Sequence, residues 1–345
     1  MSVPISFYIP EDDWPQTIPD CVDTNWQIFL RGPYNWTLQT YVRLRSEDFP
    51  CQLIKTLPDE GIVLTHREYL PDSLKPKPKQ LLVCLQADQM PHPYAQLHVV
   101  QNHLQVMNQS KLLGESSYIP HWPQPGLIPR DPSRGDRFEN LAYFGVEKQL
   151  VPELRRPSWE KQLQELGLHN YKVSTDISAQ GYRWNDYSEV DAVLAIRSFT
   201  RQQYIRKPAT KLYGAWHAGV PAILGYESAY QAERKSELDY IEVTSLAEVI
   251  AALKRLRDHK TFRQAVVENC RVRAQETTPS ALIQTWRDFI INKAIPAYEQ
   301  WCSTSPQAQE AFFRSHYIDY INTKVERVTQ EVKRKGTRLL NKLGK

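Results

Sequence analysis

In the first half of the chain, apolar residues fall in short runs between turn-rich loops. Ile5–Ile9 reads as a strand closed by Pro10. Gln52–Lys55 and Gly61–Thr65 read as two more, Gln80–Leu85 as the clearest buried strand, and Leu97–Val100 as a weaker one. Asn35–Arg45 has helical spacing, with Leu38, Tyr41, Val42 and Leu44 as apolar positions, and Asn35 after the Gly32-Pro33-Tyr34 turn is a good N-cap. Short apolar blocks bounded by turn formers are the pattern of strands buried on both faces, as in a helix-covered sheet.

The second half alternates more regularly. Asn140–Gly145, Tyr171–Ser174, Asp191–Ile196, Val220–Gly225 and Asp239–Val243 read as strands. Between them lie a helix capped by Ser158 and stopped by Gly167, and another over Thr210–Ala218 that Gly219 stops. Ser245-Leu246-Ala247-Glu248 has capping-box spacing before a helix with Leu246, Val249, Ile250, Leu253 and Leu256 on one face. Strand–helix alternation with short connections predicts a parallel sheet with right-handed crossovers. From Thr261 onward the chain reads helical.

Between the halves lies Ile119–Pro132, with five prolines. Such a stretch is stiff and resists regular hydrogen bonding, so it predicts a domain boundary rather than a surface loop within one domain. At 345 residues the chain is long enough for two cores. The expected division is an α/β N-terminal domain over 1–125, a second α/β domain over 126–290, and C-terminal helices with a basic tail over 291–345.

Composition narrows the function. A net charge of +4 is too mild to argue for nucleic acid. Five scattered cysteines with no C-x-x-C pair favour reduced thiols over disulfides or zinc. No run has the length of a membrane span, and the first residues lack the basic and apolar regions of a secretory signal. A cytoplasmic protein is expected. The chain has no G-x-x-x-x-G-K-[ST] loop, G-x-G-x-x-G fingerprint, G-x-S-x-G elbow, H-E-x-x-H or Asp-x-Asp motif. His92, His98 and His103 do not have a familiar metal-ligand spacing.

The most informative stretch is Lys207–Gly225, KPATKLYGAWHAGVPAILG. A basic, hydroxyl-bearing loop runs into a helix whose first N–H groups have no intrahelical partner and whose dipole favours an anion. Lys207, Thr210 and Lys211 converge there, and Arg197 ends the preceding strand. Cations at the C-terminal edge of a parallel sheet suit a diphosphate, and they stabilise a departing one without a metal. Glu227, just past the next strand, is placed either to bind sugar hydroxyls or to cap the following helix.

This run resembles the donor-binding region of the two-domain GT-B type glycosyltransferases, and also the nucleotide-binding segment of the α1,3-fucosyltransferases. The resemblance implies two Rossmann-like domains with a C-terminal helical extension. It implies a nucleoside-diphosphate sugar held by the second domain, with Lys211 beside its phosphates. It also implies a helix around Ile283–Trp301 that crosses back to the first domain. Many retaining members carry a ribose-binding glutamate where this chain has Gly214.

Such an enzyme would move a sugar to an acceptor hydroxyl, on a glycan or a lipid-linked molecule, at the interdomain cleft. It would need neither a cofactor nor an essential metal. If it inverts the anomeric centre it needs a general base. His66, at the end of the 61–65 strand, is the first candidate and Asp88, beyond the 80–85 strand, the second. The alternatives are a sugar-nucleotide epimerase of the same fold and a non-catalytic sugar or nucleotide binder.

Finally, Lys324–Lys345 carries eight Lys/Arg against two Glu, with Val325, Val328, Val332, Leu339, Leu340 and Leu343 near one helical face. This predicts peripheral contact with an anionic membrane surface, against the alternative of a solvated helix that Gly336 weakens.

Overall fold

A computed structural model of the chain describes residues 3–107, 115–171 and 183–343. Eleven strands are present among the described residues: β1 Ile5–Tyr8, β2 Gln52–Ile54, β3 Glu60–His66, β4 Lys79–Leu85, β5 Leu97–Val100, β6 Glu115–Tyr118, β7 Asn140–Ala142, β8 His169–Tyr171, β9 Ala192–Ala195, β10 Ala222–Gly225 and β11 Ile241–Val243. They form two sheets, in the orders β2-β1-β3-β4-β5-β6 and β11-β10-β9-β7-β8. Every pairing is parallel. The helices are α1 Gln39–Arg45, α2 His103–Met107, α3 Pro157–Glu165, α4 Thr210–Ala218, α5 Ser228–Glu233, α6 Leu246–Asp258, α7 Lys260–Ala274, α8 Pro279–Phe289, α9 Ile295–Ser303 and α10 Pro306–Leu343.

The reason for parallel pairing lies in the strands themselves. Ile62, Val63, Leu64 and Leu81 to Leu85 are fully buried, so side chains on both sheet faces need cover. One face of the first sheet meets α1, α8 and α9 around Phe7, Leu64, Val83 and Trp286, and the other buries Val63, Leu82, Cys84 and Ala95. The second sheet is sandwiched in the same way. Ala215, Trp216 and Val266 lie on one side and Leu163, Val249 and Leu253 on the other.

The proline-rich segment carries the chain from one sheet to the other. Ile119 and Trp122 belong to the first core, while Ile128 bridges to Asp186 beside the second. The helical C-terminus then returns. Leu282, Ile283, Trp286, Phe289 and Trp301 pack in the first core, so the crossing helix is α8 and begins ahead of residue 290. Phe313 of α10 packs there too. Two Rossmann-like α/β domains joined in this way constitute the GT-B type of architecture.

Two local expectations are corrected, and one strand was not expected. Ser158 does not cap α3; Arg156 holds that position, because Pro157 fits the first helical turn, where its missing N–H costs nothing. Asn35 is not an N-cap; it lies inside a π-helical turn, Tyr34–Leu38, that runs into α1, and its amide donates to the Phe29 carbonyl at 3.0 Å. β6, Glu-Ser-Ser-Tyr, escaped notice because an edge strand of polar residues has no apolar block to announce it. In contrast, the Ser245 hydroxyl accepts from the Glu248 N–H, as the capping box requires. Of the strand expected at Tyr171–Ser174, residues 172–174 lie outside the described residues.

Candidate functional site

Residues just past the C-terminal ends of β3, β4, β5 and β9 line one interdomain cleft of about 420 Å³. From the first domain come His66, Asp88 and Gln101; from the second come Arg197, Lys207 and Thr210. Five of the seven residues singled out in the sequence therefore share one wall-to-wall space. Lys211 and Glu227 do not line it, but they group electrostatically with Arg197.

A cavity of similar size, about 480 Å³, opens at the N-terminal edge of the second sheet. Its arginines are already engaged: Arg130 with Asp191, Arg263 with the Leu256 and Asp136 carbonyls, and Arg271 with Glu268. The interdomain cleft, with its converging polar groups, is the better candidate site.

On the second-domain side, α4 starts at Thr210 after the Ala209 cap and ends at Gly219, whose φ of 69° needs no Cβ-bearing residue. Val220 N–H then reaches the Ala215 carbonyl at 3.0 Å, which closes the helix. The turn fixes α4 against β10 and so fixes the first helical turn at the sheet edge.

Lys211 lies in that turn, partly buried. Among the described residues its ammonium has no hydrogen-bond or ion-pair partner; it lies over the Tyr143 ring, 5.7 Å from the centroid. Loss of hydration, reinforced by the Arg197 charge, brings its pKa down to about 8.

Arg197 is spoken for on one side. Its Nε donates to Glu227 Oε1 at 3.0 Å and another nitrogen donates to Gln149 at 2.7 Å. Glu227 occupies the N-cap position of α5 but makes no capping bond; its carboxylate turns inward to Arg197 instead. It lies behind Arg197 rather than on the cleft wall. Burial raises its pKa against the pull of Arg197 and Lys211, and its Oε2 has no partner among the described residues.

The charge on Lys211 has a pH consequence. An anion bound there favours the protonated amine. Below about pH 8 the amine is already charged, and above it binding must take up a proton. Nucleoside-diphosphate affinity is expected to be level from pH 7 to about 8 and to fall at higher pH. Titration calorimetry of the wild type and Lys211→Met would check this; the variant should lose the alkaline decline, and an equal decline in both would assign it elsewhere.

On the first-domain side, His66 ends β3. Its Nδ1 accepts from the Glu68 N–H at 3.2 Å. Burial lowers its pKa to about 4, so the ring is neutral at pH 7 and its proton sits on Nε2. A Cβ built on Gly32, which also lines the cleft, would stand 3.8 Å from that nitrogen. His66 thus presents a donor there, whereas a general base needs a free lone pair; this arrangement runs against the base role expected for it.

Asp88 is exposed at the cleft mouth. It is ion-paired with Lys207 across the domains and accepts from Gln101 Nε2 at 2.6 Å. Ala87, the residue before it, is held at φ 48°, and Tyr204 in the opposing loop at φ 49°. Left-handed non-glycine residues store strain, and here they shape both loops that meet over the cleft.

The sequence reading missed the residues that lock the loops together. Gln101 Nε2 also donates to the Arg206 carbonyl at 2.8 Å. Asn102 Nδ2 donates to the Lys207 carbonyl at 3.0 Å and to Ser228 Oγ at 2.9 Å. Both follow β5 directly, and position past a strand end was the one available signal. Trp36, His121, Gln124 and Trp184 also line the cleft. They come from three segments far apart in sequence.

Gly214 has a packing explanation. A Cβ there would fall 2.3 Å from the Tyr187 hydroxyl, and the Tyr187 ring is buried and stacked on Phe144 at 3.9 Å. A glutamate does not fit this position. Gly214→Ala is expected to lower stability by about 0–2 kcal/mol, since overpacking costs ~1–3 and the gain in helix propensity returns ~1. Tyr187→Phe in the same chain should relieve it. Denaturant melts would check both, and an alanine variant more stable than wild type would show that Tyr187 gives way freely.

No family model matches the chain, and no curated protein matches it. Among solved structures, it is similar to HepE of Anabaena in complex with UDP, at TM-score 0.46 and 11% identity over 84% of this chain and 100% of that one. It is similar to the sucrose-phosphate synthase of Thermosynechococcus elongatus, at TM-score 0.45 and 12% identity over 68% of this chain and 74% of that one. It is also similar to AviGT4, a glycosyltransferase involved in avilamycin A biosynthesis, at TM-score 0.45 and 11% identity over 88% of this chain and 99% of that one.

Proposed function

We propose that this chain is a glycosyltransferase that moves a sugar from a nucleoside-diphosphate sugar to an acceptor hydroxyl. The observation that carries this reading is the ammonium of Lys211 in the first turn of α4, which has no partner among the described residues. It stands beside Arg197 and Lys207, at the edge of a cleft whose far wall belongs to the other domain. The donor diphosphate lies against the α4 N-terminus, where N–H groups and the helix dipole add to the three cations.

In the reaction the bond from the anomeric carbon to the phosphate oxygen breaks and a bond to the acceptor oxygen forms. The departing diphosphate gains charge, which Arg197, Lys207 and Lys211 neutralise; these cations do the work that a metal does elsewhere. Glu227 holds Arg197 in place for this. The acceptor hydroxyl gives up its proton. With inversion the base is Asp88, since its carboxylate is at the cleft and His66 offers a donor. The Lys207–Asp88 pair is exposed and so contributes little on its own. A diphosphate that draws Lys207 away frees that carboxylate only once the donor is bound.

The first-domain wall suits a saccharide acceptor. Asn35, Gln101 and Gln124 supply amides there, and Trp184 of the second domain adds an aromatic side chain to the same cleft, the usual pairing for sugar hydroxyls and rings. A thermal-shift screen of nucleoside diphosphates tests the donor half and names the base. At 100 times its Kd a ligand adds about 2.7 kcal/mol, a readily measured rise in Tm. A protein indifferent to every nucleoside diphosphate would not be a nucleotide-sugar enzyme.

A further inference from the structure

We propose that the exposed apolar face of α10 that starts at Ile318, together with the basic sequence that follows it, docks the protein on an anionic lipid bilayer. This rests on the helix alone and stands independently of the reaction proposed above.

The helix has two apolar faces with different fates. Phe312, Phe313 and Tyr320 point inward: Phe313 contacts Tyr94 and Trp301, and the Tyr320 hydroxyl donates to Asp72 at 2.6 Å. On the other side Ile318, Ile321, Val325 and Val328 are 53%, 38%, 59% and 56% exposed. At 100° per residue these four positions, with those of Val332, Leu339, Leu340 and Leu343, fall within an arc of about 120°. The stripe is about 37 Å long at 1.5 Å per residue.

The charge pattern selects the occupant. Lys324–Lys345 holds eight basic residues against two acidic ones. In a coiled-coil register with Ile318, Val325, Val332 and Leu339 at one seam position, the other seam runs Ile321, Val328, Lys335, Lys342. A second copy of the chain would meet lysines within its seam and find only Asp319, Glu326 and Glu331 as counter-charges. On a bilayer the same lysines flank the apolar arc, where long side chains reach the headgroups while their stems stay apolar. No described helix is long and apolar enough to cross a membrane, so the contact is peripheral.

The test is co-sedimentation of the full chain with vesicles of phosphatidylcholine alone and with about 30% phosphatidylserine, at low and high salt. Each basic residue near an anionic surface is worth roughly a fivefold gain in partitioning. The wild type should pellet with the anionic vesicles, be released by high salt, and ignore neutral ones. Lys333→Glu, Arg334→Glu and Lys335→Glu together should cut partitioning by about a hundredfold or more. Val325→Asp with Val328→Asp, at exposed sites outside the core, should weaken it too. Three results would overturn the proposal: no binding to anionic vesicles, binding that both variants retain, or a wild-type dimer by light scattering that the valine variant dissociates.

Discussion

Lys211→Ala is expected to weaken nucleoside-diphosphate binding by about 1.5–3 kcal/mol, the scale of a hydrogen bond to a charged group. The size follows from the surroundings. The ammonium has no partner among the described residues, so none of its charge is already spent, and partial burial keeps water from screening it. Stability should change little or rise, because the variant removes a desolvated cation next to Arg197. Calorimetry beside a thermal melt separates the two effects. Unchanged affinity with a normal melt would remove Lys211 from the site.

Asp88→Asn should lower turnover by roughly 10²–10⁴-fold, the range for removal of a general base, while donor binding persists. The substitution keeps the shape and the acceptor for Gln101 but abolishes proton affinity at pH 7. His66→Gln should have a much smaller effect, since glutamine still offers a donor. The contrast is diagnostic. Loss in the histidine variant alone would return the base role to His66, and near-normal turnover in both would indicate a retaining mechanism, which needs no such base.

Both predictions depend on residues that were legible in the sequence for different reasons. Lys207, Thr210 and Lys211 were visible because proline and glycine punctuate their loop, and local chemistry at a helix start can be read from neighbours in the chain. Parallel topology was visible because β3, β4 and β9 are uninterrupted apolar blocks. Asp88 and His66 were visible only as residues beyond strand ends, and that says nothing of tautomer or pairing. The Glu68 N–H that occupies His66 Nδ1, and the Lys207 that covers Asp88 from 119 residues away, exist only in the folded chain. The same holds for Glu227, which makes no capping bond and pairs instead with Arg197 across 30 residues. Gly214 read as a missing carboxylate until the Tyr187 hydroxyl gave it a steric cause.

The most direct measurement is release of nucleoside diphosphate from a panel of nucleoside-diphosphate sugars, with and without a mixture of saccharide acceptors. The account predicts slow release from one donor alone, faster release when an acceptor is present, and loss of both in Lys211→Ala. A sugar that changes configuration with its diphosphate still attached, or a donor that binds and is never consumed with any acceptor, would contradict it.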